Sequence, residues 1–204
     1  RSEPSDDSRS HRYRAEDVRG LKERRAPSME PQRFRSFDAD LPVMDSAIAT
    51  ITEQGAIYRG VNCIDLAEKD TLEHTATLLW DVTVDPFAAD NCPEVSDAMR
   101  TIADAARRAA PIDRAIAVLA LAASADPHAF TRAPDGRAMV GARIVRLIVA
   151  TMLNRVPSAE PLHLQIANAW SPDNKHAADL IRRALVLLAD HELNASTFTV
   201  RCAA

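Results

Sequence analysis

Residues 136–154 have the sequence GRAMVGARIVRLIVATMLN, and this stretch sets the fold class. Its larger apolar side chains recur at helical spacing, at Met139, Val140, Ile144, Val145, Ile148 and Met152. One face of an α-helix repeats every three or four residues, whereas a strand alternates at every second residue. The stretch therefore predicts a long helix that turns its apolar face towards a core.

Shorter segments on both sides of this stretch show the same helical pattern. Helices are predicted over residues 63–69, 72–80 with Thr71 as N-cap, 94–109 behind Pro93, 112–124, 127–130, 161–170 and 175–189. A last helix is expected to begin near Asn194. Residues 175–189 are apolar along one face, so this segment and residues 136–154 are predicted to be the most buried elements.

One small sheet is predicted ahead of the helices. Residues 48–52 and 56–59 are separated by Glu53, Gln54 and Gly55, and this pattern is typical of a β-hairpin. The chain is 47% hydrophobic but only 4% aromatic, which suits an aliphatic helical core. The predicted fold class is all-α with a small N-terminal β-hairpin.

Composition argues against several classes of function. The net charge of −4 gives the chain no overall attraction to nucleic acid or membranes, and no apolar run approaches the roughly 20 residues of a membrane helix. Cys63, Cys92 and Cys202 lie far apart, which favours reduced, buried thiols in a cytoplasmic protein. No histidine has a partner at the spacing of a zinc site, so no metal is expected.

Residues 1–40 differ from the rest of the chain in their dense mixed charge and few apolar side chains. Tyr13, Val18 and Leu21 are spaced as in a short strand followed by an amphipathic helix, which would begin at residues 15–17. We therefore divide the chain into residues 1–40, a small module with its linker, and residues 41–204, a helical domain. Because the chain begins without a methionine and ends within a helical pattern, we interpret it as a fragment.

The chemistry of the chain is concentrated in residues 188–198, LADHELNASTF. His191 lies between two carboxylates at the end of an apolar helical run, and small residues follow it. A histidine in that setting can donate a hydrogen bond to an anionic substrate, or it can cap its own helix through the helix dipole. Successive helix positions turn by about 100°, so Asp190 and Glu192, two positions apart, cannot both face one substrate, and supporting or dimer-contact roles are favoured over a catalytic pair.

Three small polar residues come next. Asn194, Ser196 and Thr197 suit the N-cap of the last predicted helix, because their side-chain oxygens can accept from free backbone N–H groups. The start of that helix could instead help to hold the carboxylates of a substrate.

Three stretches resemble the citrate synthase family. Residues 55–67 (GAIYRGVNCIDLA) are similar to the family's early hairpin, and residues 71–80 (TLEHTATLLW) to the helix that follows. Residues 184–201 (ALVLLADHELNASTFTVR) are the most specific match, and the resemblance spans residues 43–204. One departure is residues 81–85 (DVTVD), where the family commonly has a glycine followed by Leu-Pro, and this affects a turn.

The resemblance implies a reaction and a site. His191 is expected to bind oxaloacetate, supported by Asn194 and Ser196, and acetyl-CoA is expected to condense with oxaloacetate to give citrate and CoA. The family's catalytic histidine and aspartate and its arginine clamp would lie beyond Ala204. We therefore expect no catalytic residue within this chain and no activity from it alone. The resemblance also implies a cytoplasmic homodimer that takes acetyl-CoA as a substrate and needs no cofactor.

A second resemblance leaves another function open. Residues 11–25 (HRYRAEDVRGLKERR) are similar to the end of a MerR-type helix-turn-helix module, which implies DNA as a partner through a recognition helix ahead of Arg1. The alternative function is a transcriptional regulator whose citrate synthase-like domain senses a metabolite. A helical scaffold without a ligand is the third interpretation. An intact catalytic histidine and aspartate downstream would favour the enzyme.

Overall fold

The structure is a computed structural model that describes residues 48–53 and 55–190, together with the backbone of two short strands, β1 (Ser2–Glu3) and β2 (Arg12–Tyr13). The chain divides into two units, Arg1–Val43 and Met44–Ala204. In the first unit β1 pairs antiparallel with β2, so the short strand expected at Tyr13 is present. The helix expected after it lies outside the described residues, and the assignment of residues 1–40 to a helix-turn-helix module stays a prediction.

The second unit opens with a three-stranded antiparallel sheet made of β3 (Ala49–Thr52), β4 (Gly55–Tyr58) and β5 (Val61–Asn62). The predicted hairpin is confirmed, and its register pairs Ala49 with Tyr58. The third strand was not predicted, because two residues are too few to show alternation. It follows a tight turn in which Arg59 and Gly60 both have positive φ angles of 43° and 84°.

Seven α-helices follow within the described residues, and the all-α prediction is confirmed. They are α1 (Cys63–Lys69), α2 (Leu72–Trp80), α3 (Asp97–Ala105), α4 (Pro111–Ala125), α5 (Pro134–Met152), α6 (Leu162–Trp170) and α7 (Lys175–Leu187), with a 3₁₀ turn at Ala89–Asn91. The first two have the predicted bounds, because Asn62 and Thr71 accept hydrogen bonds from the first-turn backbone. None of the helices that the structure describes is long and apolar enough to cross a membrane.

Two predicted helices are wrong in extent or in kind. The helix predicted over residues 94–109 covers only Asp97–Ala105, because Ser96 rather than Pro93 caps it by accepting from the Met99 N–H at 3.3 Å. The helix predicted over residues 127–130 is a turn. The Asp126 side chain accepts from the His128 N–H at 2.8 Å and stabilises that turn instead.

The prediction that two helices are the most buried holds for one of them. Helix α5 buries Ala138, Ala142, Arg146, Leu147, Ala150 and Thr151, because it packs into two of the three hydrophobic clusters. The face predicted for it is wrong, because none of the six apolar residues that defined that face is buried, and Ile144 and Met152 are 42% and 38% exposed. Helix α7 buries only Val186, and Leu180 and Leu188 are 54% and 61% exposed. Its described neighbours, α1, α2 and α6, cover one side and leave the other open. The prediction for residues 175–189 is therefore wrong in this chain.

The hydrophobic cluster that matters for the site joins the sheet to the end of α7. Its buried members include Tyr58 from β4, Leu66 from α1, Leu79 from α2 and Val186 from α7. Burying a large apolar side chain contributes about 1.5–3 kcal/mol, so these contacts hold the four elements together. The end of α7 is thereby fixed against the sheet although the two are more than a hundred residues apart in sequence.

Candidate functional site

The predicted site residues lie just past the part of the chain that the structure describes. His191, Asn194 and Ser196 fall in residues 191–204, which are outside the described residues, as are Glu192 and Thr197. The described chain ends at Asp190, the residue immediately before His191. The structure therefore shows how the end of α7 and residues 188–190, which lead into this segment, are held in place.

Tyr58 of β4 is hydrogen-bonded to the end of α7. Its side chain is completely buried, and its hydroxyl lies 2.9 Å from the Leu187 carbonyl oxygen and 3.4 Å from that of Asp190. The last carbonyls of a helix have no partner within the helix, so a buried helix end needs such a donor. The shorter distance makes Leu187 the main acceptor, and Asp190 is within reach of the same hydrogen.

The Tyr58 hydroxyl stays protonated at neutral pH. Burial raises its pKa above the ordinary value of 10.0, the hydrogen bond to Asp190 lowers it, and the nearby Cys63 and Asp190 raise it further. An ionised phenolate in this position would have no hydrogen to donate, and its negative charge would face two carbonyl oxygens. The group is therefore a hydrogen-bond donor over the whole physiological range.

Arg59, the next residue, fastens the sheet to the end of α2. Its Nε–H donates to the Leu79 carbonyl at 2.9 Å, and its guanidinium lies 3.3 Å from the Asp81 carboxylate. Asp81 ends α2 in the left-handed conformation, with φ of 57°. Asp81 begins residues 81–85, the stretch that the resemblance marks as a departure from the family's pattern. An aspartate tolerates the conformation better than most residues do, and the ion pair with Arg59 supports it there.

Arg182 connects the middle of α7 to α1. Its guanidinium donates to the carbonyls of Glu68 and Asp70 at the end of α1 and lies 2.7 Å from the Asp179 carboxylate. Hydrogen bonds from Arg182 and Arg183 lower the pKa of Asp179. Cations are favoured at a helix C-terminus, because free carbonyls and the helix dipole make it partly negative. Helix α7 is therefore attached to α1 by Arg182 and to the sheet by Tyr58.

The carboxylate of Asp190 is the last functional group that the structure describes before His191. Its Oδ2 atom is buried and has no hydrogen-bond partner within the described ranges. A carboxylate oxygen in this state is a strong acceptor. The sequence-based preference for a supporting role of Asp190 stays a prediction.

A cleft of about 440 Å³ lies between α2, α5 and the start of α6. Glu73 on its wall accepts from the Leu162 N–H at 2.6 Å and so caps α6 from another helix. Arg146 is only 2% exposed and donates to the carbonyls of Phe87 and Ala88, while its guanidinium carbon lies 5.5 Å from the centre of the Phe87 ring. These bonds give both side chains structural roles. Sequence reasoning missed them, and the available signal for Arg146 was its place among three arginines within the apolar pattern of residues 136–154.

The four histidines that the structure describes show no metal-binding arrangement. His74 is exposed and lies 2.8 Å from the Asp70 carboxylate, and His128 and His176 are also exposed. His163 is half-buried, and burial lowers its pKa below 6.5. In the described part of the molecule, no cluster of three histidine, cysteine or acidic side chains could hold a metal ion.

Two cysteines and both tryptophans can be placed. Cys63 is buried and Cys92 is partly buried, and neither is in a disulfide, whereas Cys202 is among the residues not described. The Trp80 ring stacks on Phe87, with ring centres 5.9 Å apart, as expected for a core residue. Trp170 is 72% exposed.

The fold and the approach to the site define a class: a mainly helical domain whose small N-terminal sheet is hydrogen-bonded to the helix that leads into an Asp-His-Glu segment. The family model described as the C-terminal domain of citrate synthase matches residues 38–204. That match covers most of the 204 residues, so this chain belongs to the citrate synthase family. No curated protein matches the sequence.

Proposed function

We propose that the full-length protein condenses acetyl-CoA with oxaloacetate to give citrate and CoA, and that His191 binds the oxaloacetate. The observation that carries this proposal is the family match over residues 38–204, which includes the Asp-His-Glu segment. In the reaction a carbon–carbon bond forms between the methyl carbon of the thioester and the ketone carbon of oxaloacetate. Hydrolysis of the thioester then releases CoA. Citrate synthase family membership supports the reaction class, and the acyl substrate and ketoacid are part of the proposal.

The chemistry of residues 188–198 supports the role given to His191. An imidazole N–H can donate to the carboxylate or ketone oxygen of a dianionic ketoacid, and the small residues that follow leave space for it. Asn194 and Ser196 are proposed to support this contact. A charge-assisted hydrogen bond of this kind contributes about 1.5–3 kcal/mol to binding.

The proposal is tested by the variant His191→Ala in the full-length protein. We expect the oxaloacetate dissociation constant, measured by titration calorimetry, to rise about 10- to 100-fold, while the thermal midpoint changes little. A histidine that only caps its helix would show the opposite pattern, because loss of a cap costs about 0.3–1 kcal/mol of stability and leaves affinity alone. Unchanged affinity with a lowered midpoint would therefore contradict the assignment.

The 204-residue chain by itself is proposed to lack activity, since the catalytic histidine and aspartate would lie beyond Ala204. Loss of groups that act together usually costs several orders of magnitude in rate. The measurement is thiol release from acetyl-CoA in the presence of oxaloacetate. A rate with the isolated chain above the uncatalysed rate would refute this part of the proposal.

We further propose a cytoplasmic homodimer that uses the open side of α7. Leu180, Ala184, Leu187 and Leu188 are exposed at helical spacing on that side. Small and aliphatic residues in such a row suit helix–helix packing between two copies. Light scattering of the full-length protein at micromolar concentration should report a dimer that Leu180→Glu weakens and Asp173→Lys, in the preceding loop, leaves intact. A monomeric parent would contradict the proposal.

A metabolite-sensing transcriptional regulator is the second candidate, favoured by the likeness of residues 11–25 to a helix-turn-helix module. In that case oxaloacetate or a related anion would be a signal, and DNA would be the partner. The two candidates differ in one measurement on the full-length protein. Citrate formation supports the enzyme, whereas sequence-specific DNA binding that responds to oxaloacetate without turnover supports the regulator.

A further inference from the structure

The structure places a buried hydroxyl from the N-terminal sheet on the peptide bond that leads into His191. We propose that Tyr58 is a positioning residue for the ketoacid site: its hydroxyl fixes the end of α7 and thereby the place from which the His191 side chain projects. This inference rests on the proposed function. It adds a residue that lies 129 positions before Leu187 in the sequence and that the residues around His191 do not indicate.

The argument begins with covalent geometry. The Asp190 carbonyl oxygen and the His191 Cα belong to one peptide unit, and the six atoms of a peptide unit are coplanar. A hydrogen bond to the Asp190 oxygen therefore restrains the plane that carries the His191 Cα. Tyr58 reaches this oxygen at 3.4 Å and the Leu187 oxygen, three residues earlier, at 2.9 Å.

Tyr58 itself is held in a fixed position. It is completely buried, it packs in one cluster with Cys63, Leu66 and Val186, and the sheet register pairs it with Ala49. Arg59, adjacent in sequence, is bonded to the end of α2. Packed side chains and paired strands resist small displacements. The Tyr58 hydroxyl therefore holds the carbonyl groups to which it is hydrogen-bonded in a fixed position.

Ligand affinity depends on how closely the binding groups are held to their productive positions. Hydrogen-bonding groups act fully only when their supporting residues hold them within about 0.5 Å of the productive geometry. Without the Tyr58 hydroxyl, the carbonyls of Leu187 and Asp190 lose this donor, and the chain can shift where it leaves α7. The affinity for oxaloacetate should then fall although no group that touches the ligand has changed.

The test is Tyr58→Phe in the full-length protein, which removes one oxygen atom and keeps the ring in the core. We expect the oxaloacetate dissociation constant to rise about 3- to 10-fold, the effect of losing roughly one hydrogen bond. The Michaelis constant for acetyl-CoA should not change. The matched control is Asn91→Leu, which removes donations to the carbonyls of Pro86 and Met139 elsewhere in the fold. It should lower the thermal midpoint and leave the oxaloacetate affinity unchanged.

A double-mutant cycle separates positioning from general loss of stability. If Tyr58 acts through His191, Tyr58→Phe should have no further effect on affinity in a His191→Ala background. Equal losses in both backgrounds, or an unchanged affinity of Tyr58→Phe alone, would overturn the inference while leaving the proposed function in place. If the unmodified protein does not bind oxaloacetate, or if His191→Ala binds it normally, the proposed function fails and this inference fails with it.

Discussion

Arg114 offers a sharp test of how the helical domain is held together. This α4 residue is 2% exposed, and its guanidinium donates to three carbonyls: Thr151 at 2.9 Å, Met152 at 3.0 Å and Arg107 at 3.0 Å. Two of these acceptors form the C-terminus of α5, and the third lies in the turn after α3. In the described part of the chain no carboxylate pairs with Arg114, so the partly negative end of α5 is its counter-charge.

The expected cost of losing this side chain follows from those contacts. In Arg114→Met three carbonyls lose a donor, at about 1 kcal/mol each, and the end of α5 loses a cation worth about 0.3–1 kcal/mol. We therefore expect the free energy of unfolding to fall by about 3–4 kcal/mol. Arg114→Lys keeps the charge but cannot reach three acceptors at once, so its free energy of unfolding should lie between those of Arg114→Met and the wild type.

The assay is urea denaturation of the 204-residue chain, followed by far-ultraviolet circular dichroism. Arg108→Met is the control, because Arg108 lies in the same region but is exposed, and it should change stability by less than about 0.5 kcal/mol. An Arg114→Met variant as stable as Arg108→Met would refute the argument that buried guanidinium–carbonyl bonds join α3, α4 and α5.

Two further predictions concern the neighbourhood of α6. Glu73→Ala should lower the free energy of unfolding by about 1 kcal/mol, because the Leu162 N–H loses its cap. The control Glu68→Ala, on an exposed face of α1, should leave the free energy of unfolding unchanged. Equal urea midpoints for the two variants would contradict this prediction. Burial lowers the pKa of His163. Below pH 6.5 this imidazole is therefore more fully protonated in the unfolded chain than in the folded one. Stability should therefore decrease as pH falls from 6.5 towards the folded pKa, and His163→Leu should show a smaller decrease than His128→Leu when urea midpoints are compared across this range.

Several features of this protein could be determined from the sequence because they depend on local chemistry. The period of apolar residues defines α5 within two residues at each end. Thr71 caps α2 as predicted, since an N-cap bond joins residues three apart. The hairpin register follows from alternation around a glycine-containing turn. Family membership was also visible in the sequence: the likeness of short stretches such as residues 184–201 predicted it, and the family match over residues 38–204 confirms it.

Other features were decided only by tertiary structure. Tyr58 bonds a carbonyl 129 residues away, Arg114 one 38 residues away, and Arg182 one 112 residues away. No local sequence pattern identifies these side chains as donors. The partner of each one is the helix end that tertiary packing places next to it. The exposure of α7 has the same origin. Its apolar sequence shows that it can be buried, but burial requires a neighbour on each side, and in the described part of the chain the fold supplies neighbours on one side only.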